Sequence, residues 1–194
     1  MCSRFELRAG PDELARRFGL KTPPPVPNPL ELRPTDLALA ITADGPRLLT
    51  WGLAVDWDPK PLINARAETL TQKKTFRPFL ESRCLIPAGA YFEWRKDGAA
   101  KHKNRISLAP DTLFAFAGLT DGERFTIITC APAPSIAGIH NRMPVILERQ
   151  AEARWINPKM SFEAVSGVLV PYRQTPIEAE EDAPPPVRQG DLFD

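Results

Sequence analysis

The chain is cut into short pieces, and this limits what it can become. Apolar runs such as "DLALAIT", "PRLLTWGL", "RISLA", "LFAFAGL" and "RFTIITC" are each bounded by a turn signal or a proline. Asp44–Gly45 between the first two predicts a hairpin, and "TDGE" separates the last two. "CLIPAGAYFEW" (84–94) reads as a strand interrupted by Pro87 and Gly89, and "AVSGVLVPY" (164–172) as a final strand. Helical signals are few. "PDELARRFG" (11–19) has Pro at a first helical position and a Gly stop, "LERQAEARWI" (147–156) is periodic, and "TFRPFLESR" (75–83) allows a turn or two before Pro78 limits it. The 22 prolines cluster at 22–34 and 184–186, marking extended loops rather than a repeat. Short strands joined by short turns, with few helices, predict a single α+β domain with antiparallel pairing.

With 194 residues, 43% apolar and 25% charged, the chain can bury one substantial core. The expected domain spans 1–173, followed by an acidic, Pro-rich, disordered tail over 174–194. That tail holds six acids and one base, which leaves 24 bases against 18 acids in the rest. Residues 62–105 alone carry ten bases and four acids, either a solvated face or an anion-binding surface. No apolar run reaches membrane-spanning length and the first twenty residues are charged throughout. The expectation is no membrane contact, no secretory signal and a cytoplasmic protein. Three cysteines without a CxxC pair and only two histidines argue against a disulfide framework and a metal site.

Cys2 is the unusual thiol. Methionine aminopeptidase removes Met1 ahead of a small second residue, which would leave a free α-amine next to the thiol-bearing carbon. With an amine titrating near 7.7–8.0 and a thiol near 8.5, roughly a tenth of the amine is neutral at pH 7. Such a 1,2-aminothiol attacks an aldehyde twice, first as a Schiff base and then by closure of a five-membered thiazolidine. It can also act as an N-terminal nucleophile on an acyl carbon. The bland reading is a frayed, inert second residue.

Three polar stretches bear on the choice. In "INARAET" (63–69), Asn64 can orient an amine or a carbonyl and Arg66 offers a fork for phosphate, or they are a turn Asn and a surface Arg. In "YFEW" (91–94), Glu93 sits among aromatics, where burial would raise its pKa and poise it for proton transfer, unless it faces solvent. "GIHNRMPVIL" (138–147) brings His140 and Arg142 ahead of an apolar strand.

At these residues the sequence resembles the SRAP family, the SOS response-associated peptidases, also described as abasic-site processing proteins. The blocks are "MCSRF", "NARAET", "RCLIPAGAYFEW" and "HNRMPVIL", in that order, and "WGL", "FAGL" and "TIIT" also fit. The resemblance implies an α+β domain around an antiparallel, partly barrel-like sheet, with no metal and no cofactor. It implies that Cys2, freed of Met1 by a self-directed peptidase activity, crosslinks to an abasic site in single-stranded DNA. By similarity, Asn64 positions the amine and sugar, while Glu93 and His140 move protons. Arg4, Arg66 and Arg142 contact phosphates, and Trp94 stacks or wedges against a base. The product would shield the lesion, and the protein would be nucleoid-associated while acting.

The chain departs from the family pattern at Ser3, where relatives have Gly, and over 20–34, where "LRPTD" keeps only the Pro-Thr of the family stretch. Cys84 and Cys130 read as core thiols. "RQGDLFD" (188–194) resembles the bacterial sliding-clamp-binding peptide through Gln189, Leu192 and Phe193, so the clamp is an expected partner. Two other functions stay open. One is a cysteine peptidase or hydrolase acting on other proteins through Cys2; the other is a nucleic-acid-binding module without chemistry.

Overall fold

The computed structural model of the chain describes residues 2–26, 30–110 and 112–182. Strand β1 (Phe5–Glu6) leads into helix α1 (Pro11–Phe18). Pro11 opens this helix, Asp12 and Glu13 sit at its positive end and Arg16 and Arg17 at its negative end. Gly19, at φ +63°, caps it by donating its N–H to the Ala15 carbonyl. Then come β2 (Glu31–Leu32), β3 (Leu37–Thr42), β4 (Gly45–Trp51), β5 (Leu53–Val55), β6 (Asp58–Leu62) and β7 (Asn64–Arg66). After two single 3-10 turns the chain forms β8 (Arg83–Ala88), β9 (Ala90–Asp97), β10 (Ala100–Leu108), β11 (Phe114–Thr120), β12 (Arg124–Cys130) and β13 (Met143–Pro144). Helices α2 (Arg149–Trp155) and α3 (Phe162–Val165) precede β14 (Ile177–Glu181).

These strands make two large sheets. One runs in the order β14-β10-β9-β1-β2. The other runs β11-β8-β3-β4-β12, and β11 pairs with β12 as well, so the sheet closes on itself like a barrel. Gly89 is the crossing point, since β8 belongs to the closed sheet and β9 to the open one. Pairing is mostly antiparallel, as expected, but β12 runs parallel to both β4 and β7. Gly118 allows the closure, because a Cβ there would lie 2.9 Å from Cys84 Sγ and 3.2 Å from the Thr126 carbonyl.

Phe5, Trp51, Phe116 and Phe125 are fully buried at the centre. The Phe5 ring stands edge-on to Trp51 at 5.0 Å and to Phe116 at 5.8 Å, while Trp51 stacks on Phe125 at 6.3 Å. Cys84 and Cys130 are buried, free thiols.

Three sequence expectations change. Residues 164–172 do not form a strand: Ser161 caps α3 by accepting from Ala164 N, and Phe162 and Val165 turn inward. The β5–β6 hairpin was hidden by Pro59 and Pro61, which fit a two-stranded edge piece but not a central strand. Within the acidic segment expected to be disordered from 174, residues 177–181 form a strand along β10. Charge explains the docking. Glu181 meets Arg95 at 3.0 Å and His102 at 2.6 Å, and Asp182 meets Lys103 at 2.7 Å. The clamp-like residues Gln189, Leu192 and Phe193 lie outside the described residues.

Arg83 fastens the loop after α2 to the closed sheet. Its guanidinium is almost wholly buried and donates to the carbonyls of Trp155 (2.6 Å), Leu80 (3.1 Å), Asn157 (2.9 Å) and Met160 (2.6 Å), and to Glu81 at 2.7 Å. Arg83→Ala strands those buried acceptors and is expected to destabilise the protein by about 3 kcal/mol, read as a lowered urea midpoint with an unchanged slope.

Candidate functional site

The site is assembled around Cys2, just ahead of β1. This residue is neither frayed nor solvated: it is fully buried within the core cluster. Its thiol donates to the Arg4 carbonyl at 3.7 Å, and its own carbonyl accepts from Asn64 Nδ2 at 2.7 Å. Burial pushes the thiol far above its usual range, and the neighbouring Glu93 carboxylate adds to the shift. At neutral pH this sulfur is a thiol, not a thiolate.

Asn64 is held by the core. Trp51 Nε1 donates to the Ile63 carbonyl at 2.9 Å, and the Ile127 amide donates to the same oxygen at 3.1 Å. Those bonds, with the parallel β7–β12 pairing, fix where Asn64 begins its strand. Its Oδ1 is buried and has no hydrogen-bond partner among the described residues, so an acceptor remains available beside Cys2.

Glu93 comes from β9 and is 3% exposed, so it does not face solvent. Burial raises its pKa, opposed by His140. His140 Nε2 lies 4.0 Å from Glu93 Oε2. The Arg142 backbone N–H, which can only donate, reaches His140 Nδ1 at 3.1 Å. Nδ1 also lies 3.2 Å from the Arg142 carbonyl, so the Arg142 backbone meets that nitrogen with both a donor and an acceptor, and Nε2 is the nitrogen that faces Glu93.

The structure thus brings Cys2, Asn64, Glu93 and His140 together from four separate segments. The four flanking residues divide. The Arg4 guanidinium lies over the half-exposed Trp94 ring at 5.4 Å and pairs with Glu31 at 3.0 Å. Arg66 is exposed. Arg142 instead makes a two-pronged pair with Glu68, at 2.9 Å on each prong, and donates to the Thr129 carbonyl at 2.7 Å. It braces the loop that carries His140.

The sequence reading passed over Tyr91, two positions before Glu93, whose hydroxyl is buried. It also passed over Trp57, which is 68% exposed between β5 and β6, a short way ahead of Asn64. An aromatic among prolines and aspartates in "VDWDPKP" was the available signal. Among the described residues, no cluster of three or more His, Cys, Asp or Glu side chains could hold a metal ion. No helix there is long and apolar enough to cross a membrane.

A family model described as SOS response associated peptidase (SRAP) matches residues 1–182. The abasic site processing protein YoaM of Bacillus subtilis is 39% identical, over 92% of this chain and 89% of its own length. The abasic site processing protein YedK of Escherichia coli is 34% identical over 61% of this chain and 58% of its own. A crystal structure of a protein from Bacteroides thetaiotaomicron superimposes with a TM-score of 0.80 at 26% identity, covering 93% of this chain and 91% of that one.

Proposed function

The chain belongs to the SRAP family, and on that premise we propose that it processes abasic sites in DNA. It does so by bonding its own Cys2 to the ring-opened sugar in single-stranded DNA. The observation that carries this reading is the Asn64 bond to the Cys2 carbonyl, with Glu93 beside the same residue and His140 beside Glu93.

Hydrolysis of the Met1–Cys2 bond frees the Cys2 amine. The amine nitrogen then adds to the aldehyde carbon of the open sugar while Asn64 Oδ1 accepts a hydrogen bond from its N–H and orients it, and one proton passes from nitrogen to the former carbonyl oxygen. The resulting carbinolamine loses water, its hydroxyl protonated from the Glu93–His140 pair, and leaves an iminium ion. Sulfur adds last. The C–S bond forms, the C=N electron pair returns to nitrogen, and the thiol proton passes to the Glu93 carboxylate. Aldehyde and aminothiol thus become a thiazolidine and one water.

This order follows from burial. A thiol that stays protonated is a poor first nucleophile, but it can add to a cationic iminium held beside a carboxylate. The same burial weighs against a cysteine peptidase acting on other proteins, which needs a ready thiolate. Arg66 and Arg4 supply charge for phosphates, and Trp94 and Trp57 supply faces for unstacked bases. Arg142 serves through His140.

The test is intact mass after incubation with an oligonucleotide carrying one abasic site. The expected adduct equals protein without Met1 plus oligonucleotide minus one water, attached at residue 2. An adduct on a lysine, or turnover of peptides without any adduct, overturns the reading.

A further inference from the structure

Tyr91 is fully buried, and its hydroxyl has no hydrogen-bond partner among the described residues. Phenylalanine would fill the same space without burying an unpaired hydroxyl, so the oxygen calls for a use. Strand alternation puts Tyr91 on the face of β9 that carries Glu93, with Phe92 and Trp94 on the other. The ring cannot wander. It pairs across the sheet with Phe5 and packs edge-on against Phe116 at 6.0 Å. Burial pushes the pKa of this phenol well above its usual value, and charge on Cys2 and on Glu93 adds to the shift, so its oxygen sits in the field of both groups. Burial keeps it protonated, able to donate but not to act as a base.

We propose that Tyr91 is a positioning residue for sulfur: its hydroxyl donates a hydrogen bond to Cys2 Sγ as the C–S bond forms. The inference rests on the crosslinking reading above. In the resting protein the thiol points to the Arg4 carbonyl. When it gives its proton to Glu93 it must leave that carbonyl, and the developing negative charge needs a donor in a dry environment. Tyr91 is a fixed donor with no other acceptor among the described residues. It takes no proton and forms no bond to the sugar.

The two covalent steps are separable, and this makes the inference testable. Cyanoborohydride traps the iminium, which needs only the amine. The heat-stable adduct without reductant reports sulfur closure. In Tyr91→Phe, the trapped iminium should form at the wild-type rate while closure slows about tenfold. The pH profile of closure should move to higher pH, and the melting temperature should equal or exceed that of wild type. Unchanged closure in Tyr91→Phe overturns the inference, as does equal slowing of both steps with a lowered melting temperature, which marks a packing role. If wild-type protein gives neither product, the crosslinking reading falls and the Tyr91 role falls with it. If wild type reacts and Tyr91→Phe matches it, only the Tyr91 role falls.

Discussion

Cys2→Ala leaves no heat-stable adduct on abasic-site DNA, a loss of roughly three orders of magnitude or more in crosslinking rate. The expectation follows from the division of labour at residue 2. Alanine keeps the α-amine and its tie to Asn64 through the Cys2 carbonyl position, so a borohydride-trapped iminium persists. It removes the sulfur that closes the ring, so the iminium reverts or eliminates. A gel with and without reductant checks both halves. A heat-stable, unreduced adduct in Cys2→Ala would place the chemistry on another residue. Binding to undamaged single strands is expected to change little, because Arg66 and Trp94 are untouched.

Glu93→Gln should lower the crosslinking rate by about 10²- to 10³-fold, the usual range for a lost general acid–base. It should also remove one limb of the pH–rate profile. In wild type that limb rises as Glu93 ionises, with a midpoint above the ordinary carboxylate value of 4.5 because burial favours the neutral form. The amine limb near pH 8 should remain. Stability moves the other way. Between the unfolded-state pKa and the raised native one, the native protein binds more protons than the unfolded chain, so stability falls as pH rises through that window. Above it the buried carboxylate is a net cost that glutamine does not carry. Glu93→Gln should therefore melt higher than wild type at pH 7, with the advantage shrinking below about pH 4.5. Thermal scans at pH 4 and 7 check the sign.

Much of the fold could be read from local pattern. The 11–19 helix, the Asp44–Gly45 hairpin and strands β8 to β12 were all visible as short periodic runs between turn residues. What escaped depended on distant partners. An apolar run as short as "AVSGVLV" does not declare its period, and Ser161 with the inward Phe162 decided for helix. Glutamates disfavour strands, yet β14 forms because Arg95, His102 and Lys103 wait on the adjoining strands. The parallel β7–β12 pairing, which carries Asn64 to Cys2, joins segments far apart in sequence and has no local signal. In the site, residue types were legible but their surroundings were not. Cys2 read as solvent-exposed because it is near the terminus, and it proves to be a core residue. Tyr91 read only as part of the aromatic setting of Glu93, because orphaning of its hydroxyl is a property of three-dimensional packing.

The acidic character of β14 has a consequence for self-association. The strand is the outermost of its sheet among the described residues, and an unpaired strand edge invites a second molecule to add on. Here Glu178, Glu180 and Glu181 are all exposed, so two such edges approaching one another would set rows of like charge face to face. Acidification strips that repulsion and weakens the pairs that hold β14 to β10. Low pH thus both uncovers a sticky border and disarms its guard, which makes acid the condition under which molecules of this protein would begin to stick edge to edge.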